Sequence, residues 1–179
     1  MANSAPASIL EVRRLDVVSE SQLQALADVL VDCVEGGASV SFMLPMARDK
    51  ALAFWRQVAD GAARGERVLL VAEDADGIVG TVQLIFDQPE NQPHRADVAK
   101  MLVHRRARRR GLGEALMRAA EGEAAREGKT LLVLDTADDT AARLYARVGW
   151  QRAGTIPRYA LLPGGGECAT TYFYRSLAA

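Results

Sequence analysis

From Arg105 to Arg110 the chain carries five arginines in six residues, and the run stops at Gly111-Leu112-Gly113. Guanidinium groups bind phosphate through charge-assisted hydrogen bonds. Glycines remove the Cβ that would keep main-chain N–H groups away from an oxyanion. A helix starting at Gly111 would add its own unpaired N–H groups and partial positive charge. Strand, basic loop, Gly-x-Gly and helix in that order would cradle a diphosphate. The rival reading is a basic face laid on a nucleic acid, or merely a solvated turn. The whole chain decides between them. It has 22 basic and 23 acidic side chains in 179 residues, a formal net charge of −1, whereas nucleic-acid binders carry a clear basic excess. No nucleic-acid partner is expected, and the arginines read as a local device on a balanced protein.

Such a loop needs a strand to deliver it and a helix to close it. With 49% apolar and 25% charged residues, the chain can bury a real core. Residues 1–8 read as a flexible tail and residues 9–179 as one domain. "SESQLQALADVLVDCVEGG" puts Leu23, Leu26, Ala27, Leu30, Val31 and Val34 at helical spacing, with Ser19 or Ser21 as N-cap and Gly36 as stop. "RDKALAFWRQVADGAARG" is a second amphipathic helix with Leu52, Trp55, Val58 and Ala59 inward. "ERVLLVAED", the turn "ADG" and "IVGTVQLIFD" form a hairpin. "HRADVAKMLVH" is a further strand, with Ala96, Val98, Lys100 and Leu102 on one face and Asp97, Ala99, Met101 and Val103 on the other. The helix from Gly111 presents Leu112, Ala115, Leu116 and Ala119. "KTLLVLDTA" is a continuously apolar strand, which suggests cover on both faces. "DDTAARLYARVGW" is a capped helix ending at Gly149, and two closing strands follow. The element order is strand, two helices, three strands, helix, strand, helix, two strands. That order implies an α/β fold: a mixed, mostly antiparallel twisted sheet flanked by helices.

Cys33 and Cys168 belong to no metal-ligand spacing, so neither a metal site nor a disulfide framework is expected. The opening "MANSAPASIL" has no basic region followed by an apolar one, and no apolar run approaches the roughly 20 residues of a spanning helix. A cytoplasmic protein without membrane partners is expected.

Arg108-x-x-Gly111-x-Gly113 resembles the Gln/Arg-x-x-Gly-x-Gly/Ala signature of the GNAT N-acetyltransferases. "AARLYARVGW", after the next strand, resembles that family's second motif, Ala-x-x-Leu/Phe-Tyr-x-x-x-Gly-Phe/Trp. The resemblance implies a GNAT-like fold, acetyl-CoA as co-substrate without a metal, and transfer to an amine or hydroxyl of a small molecule. It implies that the backbone of Met101, Leu102 and Val103 pairs with the pantetheine arm as an added strand. It assigns the diphosphate to the loop of Arg108, Arg109, Arg110, Gly111, Leu112 and Gly113, and places Asp138 beside the pantetheine. "GGASVSFM", "HRADVAKMLV" and "YFYRSL" are similar to the tabtoxin-resistance acetyltransferases, which implies a toxin or antibiotic acceptor of β-lactam type. Two positions depart from the family pattern: Arg105 stands where proline is common, and Asp138 where asparagine is. The second departure puts one pantetheine hydrogen bond in doubt.

The chemistry then has candidate carriers. A coenzyme thiolate leaves with a pKa near ~8.5 and is stabilised by a nearby hydroxyl. Tyr145 stands at the family's position for that group; the competing reading is a core tyrosine with a satisfied hydroxyl. An amine acceptor needs a base. Asp135, at the end of "LLVL", is the first candidate, with burial expected to raise its pKa; the competing reading is a cap or turn residue. Asp97 is the second candidate, placed toward the substrate. Ser39, Ser41, Phe42 and Met43 are expected to line the acceptor pocket, or else to form a tight loop capping the first helix. His94 and His104 read as solvated strand ends, Trp55 and Trp150 as core, and both cysteines as bystanders. Three other readings remain: a non-catalytic acyl-CoA-binding module, a nucleic-acid binder and a protein N-acetyltransferase. A monomer or homodimer is expected.

Overall fold

The computed structural model describes residues 11–178; the expected tail, residues 1–8, lies outside the described residues. The elements are β1 (Glu11–Arg14), α1 (Glu20–Glu35), α2 (Arg48–Ala63), β2 (Arg67–Asp74), β3 (Gly77–Ile85), β4 (Arg95–Val103), α3 (Leu112–Arg126), β5 (Leu131–Thr136), α4 (Asp139–Arg147), β6 (Gln151–Leu161) and β7 (Glu167–Ser176). This is the order read from the sequence, with one 3₁₀ turn at Arg105–Ala107 before α3. The sheet runs β1-β2-β3-β4-β5-β7-β6. Every neighbour pair is antiparallel except β4 and β5, which are parallel.

Central strands alternate as a sheet covered on both faces requires. In β2, Val68, Leu70 and Ala72 join one buried cluster with Leu116 and Met117 of α3 and Tyr145 of α4. Leu69 and Val71 join the other, with Leu26, Leu30 and Trp55 of α1 and α2. Helix α1 begins with a capping box: Ser19 Oγ accepts from Gln22 N, and the Gln22 side chain accepts from Ser19 N. Gly36 ends it, as expected.

Strand β4 departs from simple alternation. Ala99 pairs with Gln83 and Leu102 with Thr81, so three steps on β4 face two on β3. The surplus residue is Lys100, at φ 51°. Such a bulge hands every later side chain to the opposite face. Leu102 therefore packs in the α1/α2 cluster, away from Ala96 and Val98, while Met101 and Val103 take the α3/α4 side with those two. The expected grouping of Ala96, Val98, Lys100 and Leu102 holds only for its first two members.

Three smaller readings also change. In β5, Leu132 and Leu134 are buried but Leu131 and Val133 only half so, because α1 and α2 do not reach across this end of the sheet. On α3 the buried face is Leu112, Leu116, Met117, Ala120 and Ala124, and Ala115 is exposed. Edge strand β6 is almost wholly exposed and loses register between Ile156 and Ala160, around Pro157, where an edge tolerates proline. Trp55 and Trp150 are core residues, and Trp150 Nε1 donates to Glu121 at 2.8 Å.

Candidate functional site

Strands β4 and β5 pair only over Arg95–Leu131, Ala96–Leu132 and Asp97–Val133. Beyond that point they diverge, β5 continues against β7, and the β5-facing edge of β4 from Val98 to Val103 has no strand partner among the described residues. A cleft of about 1260 Å³ fills the gap. Its walls are the far half of β4 and the end of β5. One end is closed by the arginine loop with the starts of α3 and α4, the other by the α1–α2 loop and the β6–β7 hairpin.

At the loop end, Gly111 is the N-cap of α3 at φ 77°, and no side chain caps that helix. The first helical hydrogen bond there is Ala115 N to Gly111 O, so the N–H groups of Leu112, Gly113 and Glu114 precede the ladder. A left-handed φ favours glycine, and nothing lies within 4 Å of where a Gly111 Cβ would be. Gly113 has an added constraint: a Cβ would sit 2.8 Å from Leu144 Cδ2, so the glycine leaves room for that side chain. From the sequence both glycines have one reason; packing adds a second at Gly113.

The five arginines divide. Arg105 donates to Asp32 through both its main-chain N and Nε, each at 2.8 Å. Arg106 grips Asp74 at 2.8 and 3.2 Å, and Arg110 Nη1 stands 3.5 Å from the same carboxylate. Arg108 Nε donates to Val103 O at 3.1 Å, fastening the loop to the end of β4. Arg108, Arg109, Gly111, Leu112 and Gly113 line the cleft; Arg110 does not. Burial pushes the Asp32 and Asp74 carboxyls up, but the hydrogen bonds from Arg105 and Arg106 outweigh it and both end below the usual carboxylate range. His104, expected to be solvated, instead accepts from Arg106 N at 3.1 Å and caps the 3₁₀ turn.

In the middle, Met101, Leu102, Val103, Asp138 and Tyr145 all line the cleft. The Tyr145 ring packs against Phe173 and Trp150, with centroids 5.8 and 6.2 Å away. Its hydroxyl is held in the neutral form, first by burial and then by the charges of Asp138 and Asp135. Asp138 is the N-cap of α4, its Oδ1 accepting from Ala141 N at 2.8 Å. Asp135 also lines the cleft, but it is solvent-exposed rather than buried as expected. It is not a helix cap: its Oδ2 accepts from the buried Thr170 hydroxyl at 2.6 Å.

At the far end Ser39, Ser41, Phe42 and Met43 come together as lining residues. Ser39 Oγ donates to Leu161 O at 3.2 Å, and Leu44 N donates to Pro163 O at 2.9 Å, so the α1–α2 loop is tied to the β6–β7 hairpin. Phe42 stacks edge-on against Phe54 at 5.3 Å. Asp97 stays apart from this group: it is ion-paired with Arg95, accepts from Gln88, and does not line the cleft. The cause is register, since Asp97 is the last residue of β4 still paired to β5.

Four residues escaped the sequence reading. Lys100 projects from the bulge to Ser41 Oγ, 3.3 Å away. Tyr159 and Tyr172 share a hydroxyl hydrogen bond of 2.9 Å, which with burial pushes Tyr172 up to about 12. Thr170 supports Asp135. A lysine amid the apolar residues of one supposed face was the signal for the bulge; the other three have no local signal. Among the described residues no cluster has the makings of a metal site, and no helix is long and apolar enough to cross a membrane.

Comparison with known proteins bears on this cleft. Residues 65–152, from β2 past α4, match the family model described as an acetyltransferase (GNAT) domain. An uncharacterized N-acetyltransferase encoded in the hisH-hisA intergenic region of Azospirillum brasilense is 32% identical over 126 residues, covering 69% of this chain and 73% of that protein. Two solved structures share the fold. The ribosomal-protein-alanine N-acetyltransferase of Brucella melitensis superposes with a TM-score of 0.79 at 22% identity, over 93% of this chain and 99% of the other. The yncA protein of Salmonella typhimurium, solved with its cofactor acetyl-CoA, gives 0.77 at 18% identity over 96% of each chain.

Proposed function

The chain belongs to the GNAT acetyltransferases, and from that premise we propose that it acetylates an amine or hydroxyl of a small polar molecule with acetyl-CoA bound in the β4–β5 cleft. The observation that carries this reading is the free edge of β4 running into the uncapped, left-handed Gly111 turn. An extended amide-bearing arm can add to an open strand edge, and a diphosphate fits N–H groups that no side chain satisfies. The described residues therefore fit the coenzyme: Met101, Leu102 and Val103 for the arm, and Arg108, Arg109, Gly111, Leu112 and Gly113 for the diphosphate. Arg110 has a weaker claim, through its position beside Asp74. When bound, acetyl-CoA supplies an acyl group already activated as a thioester.

The chain's own residues supply the rest. Tyr145 keeps its proton on Oη at neutral pH and offers it toward a departing thiolate. Asp135 accepts a proton from the acceptor ammonium, directly or through water, and Thr170 fixes the orientation of its carboxylate. Asp138 has one oxygen committed to Ala141, so the pantetheine contact expected of an asparagine is reduced to its other oxygen. Phe42 and Met43 exclude water over the reacting groups. The tie between the α1–α2 loop and the β6–β7 hairpin closes the acceptor end, which favours a compact molecule over an extended peptide. Free Cys33 and Cys168 fit a reducing compartment such as the cytoplasm. The likeness of Gly36–Met43 to the tabtoxin-resistance enzymes puts β-lactam toxins among the first acceptors to try.

Calorimetry with acetyl-CoA, followed by thiol release on amines, amino acids, toxins and peptides, tests the reading. Saturable binding and turnover on a small molecule are expected. Binding without thiol release on any acceptor would turn the protein into an acyl-CoA-binding module, and turnover on peptides alone would make it a protein acetyltransferase.

A further inference from the structure

A lysine in left-handed backbone conformation inside a strand is uncommon and strained. Lys100 adopts it, at φ 51°, as the surplus residue of the β4 bulge. The result is an ammonium group in the cleft, one residue from Met101 and facing the α1–α2 loop. Its surroundings do not match its charge. Nζ has three donors, yet among the described residues its contacts are Ser41 Oγ at 3.3 Å and the Phe54 ring at 5.6 Å. No carboxylate lies within ion-pair distance of it among the described residues. Burial weakens its hold on the proton, and only the charge of Asp135 works the other way. A partly desolvated cation without an anion is costly, and a ligand anion would relieve that cost.

Asp135 belongs to the opposite wall, on β5, exposed to the cleft and held by Thr170 rather than by a cation. Two opposite charges thus face one cleft without being paired to each other. An acceptor carrying both an ammonium and a carboxylate complements them, with the ammonium toward Asp135 and the carboxylate toward Lys100 and the Ser41 hydroxyl. We infer that Lys100 is the specificity residue of the acceptor site and that the acceptor is an amino-acid-like molecule whose carboxylate it holds. The inference rests on the transfer reading for the orientation of the amine.

The test separates the two. Amino acids (glycine, β-alanine, L-ornithine and L-lysine) and the carboxamide of each are titrated into the protein saturated with coenzyme A. At least one acid is expected to bind about tenfold or more tighter than its carboxamide, as charge-assisted hydrogen bonds usually allow. In Lys100→Met that ratio falls to about one, and in Lys100→Arg it is retained. Carboxamides that bind as tightly as their acids, no binding by any acid, or a ratio unchanged in Lys100→Met overturn the inference, and Lys100→Gln reads the same ratio should Lys100→Met fail to fold. Thiol release from acetyl-CoA is then read on the same panel. Acids that bind without releasing thiol leave the carboxylate site standing and remove the transfer reading. Equal release from acids and carboxamides does the reverse.

Discussion

The two ends of the cleft are made in opposite ways. The loop end is built mainly on one stretch of chain, from Val103 to Gly113, with positive φ at Arg109 and Gly111 and a strut from Arg108 back to Val103 O. Its distant ties, Arg105 to Asp32 and Arg106 to Asp74, hold it from outside the cleft. The far end is assembled from separate parts of the chain. There Ser39 meets Leu161, Leu44 meets Pro163, and Ser41 meets Lys100. On the proposed reading the loop end would hold a diphosphate, which is the same in every coenzyme molecule, so its site can be a fixed local turn. An acceptor differs from one enzyme to the next, and long-range contacts let its site change without disturbing that turn. The loop end should therefore tolerate side-chain changes but not backbone changes, and the far end the reverse.

The sharpest way to break this contrast is Gly111→Val. A β-branched residue in left-handed conformation should cost about 1–2 kcal/mol of stability and weaken acetyl-CoA binding roughly a hundredfold, read by thermal unfolding and calorimetry. Arg110→Ala, which leaves the backbone geometry untouched, should change that affinity less than about threefold; comparable losses would show that charge rather than backbone shape governs the turn. Next in size, Tyr145→Phe should lower kcat at least about tenfold, roughly 1.4 kcal/mol of barrier, with little change in acetyl-CoA affinity. Unchanged turnover would return Tyr145 to the core between Phe173 and Trp150.

The smallest effect concerns the tether of the arginine loop. Asp74 ends below its usual range because hydrogen bonds from Arg106 and the Asp76 main chain outweigh burial. Its folded value is lowered, so its contribution is complete above the unfolded value near ~4 and is lost as pH falls through the folded one. Asp74→Asn should cost under about 1 kcal/mol at pH ~7, and the gap from wild type should close in acid. Unfolding midpoints followed down the pH scale read it; a gap that persists at the acid end would remove the carboxylate from the tether.

The same contrast explains how much could be read in advance. Element order, a cap at Ser19 or Ser21, the Gly111 turn and, with the family motif, the cleft position of Tyr145 follow from short windows of sequence, because their causes lie within a few residues. The side of the sheet taken by Leu102 was misread, since a bulge is a property of two strands together and β3 sets half of it. Asp97 was assigned to the substrate from its strand alone, yet the point where β4 leaves β5 decides what it faces. Gly113 was read for the approach of a phosphate alone; its second constraint, the Leu144 side chain 2.8 Å from where a Cβ would sit, lies thirty-one positions on. Thr170 and Tyr172, which adjoin Asp135, and Tyr159, which bonds to Tyr172, come from the final hairpin, where nothing nearby in sequence marks them.

The short seam between β4 and β5 has a mechanical meaning. Three residue pairs join the block of β1 to β4 to the block of β5, β7 and β6, whereas β2 and β3 are joined by eight. On hydrogen bonding alone the sheet is expected to be stiffer within each block than between them, which would make a change in the angle of the wedge its softest mode. A coenzyme lying along β4 would act as a splint across that joint, and slowed amide exchange in β5 and β7 would record the stiffening.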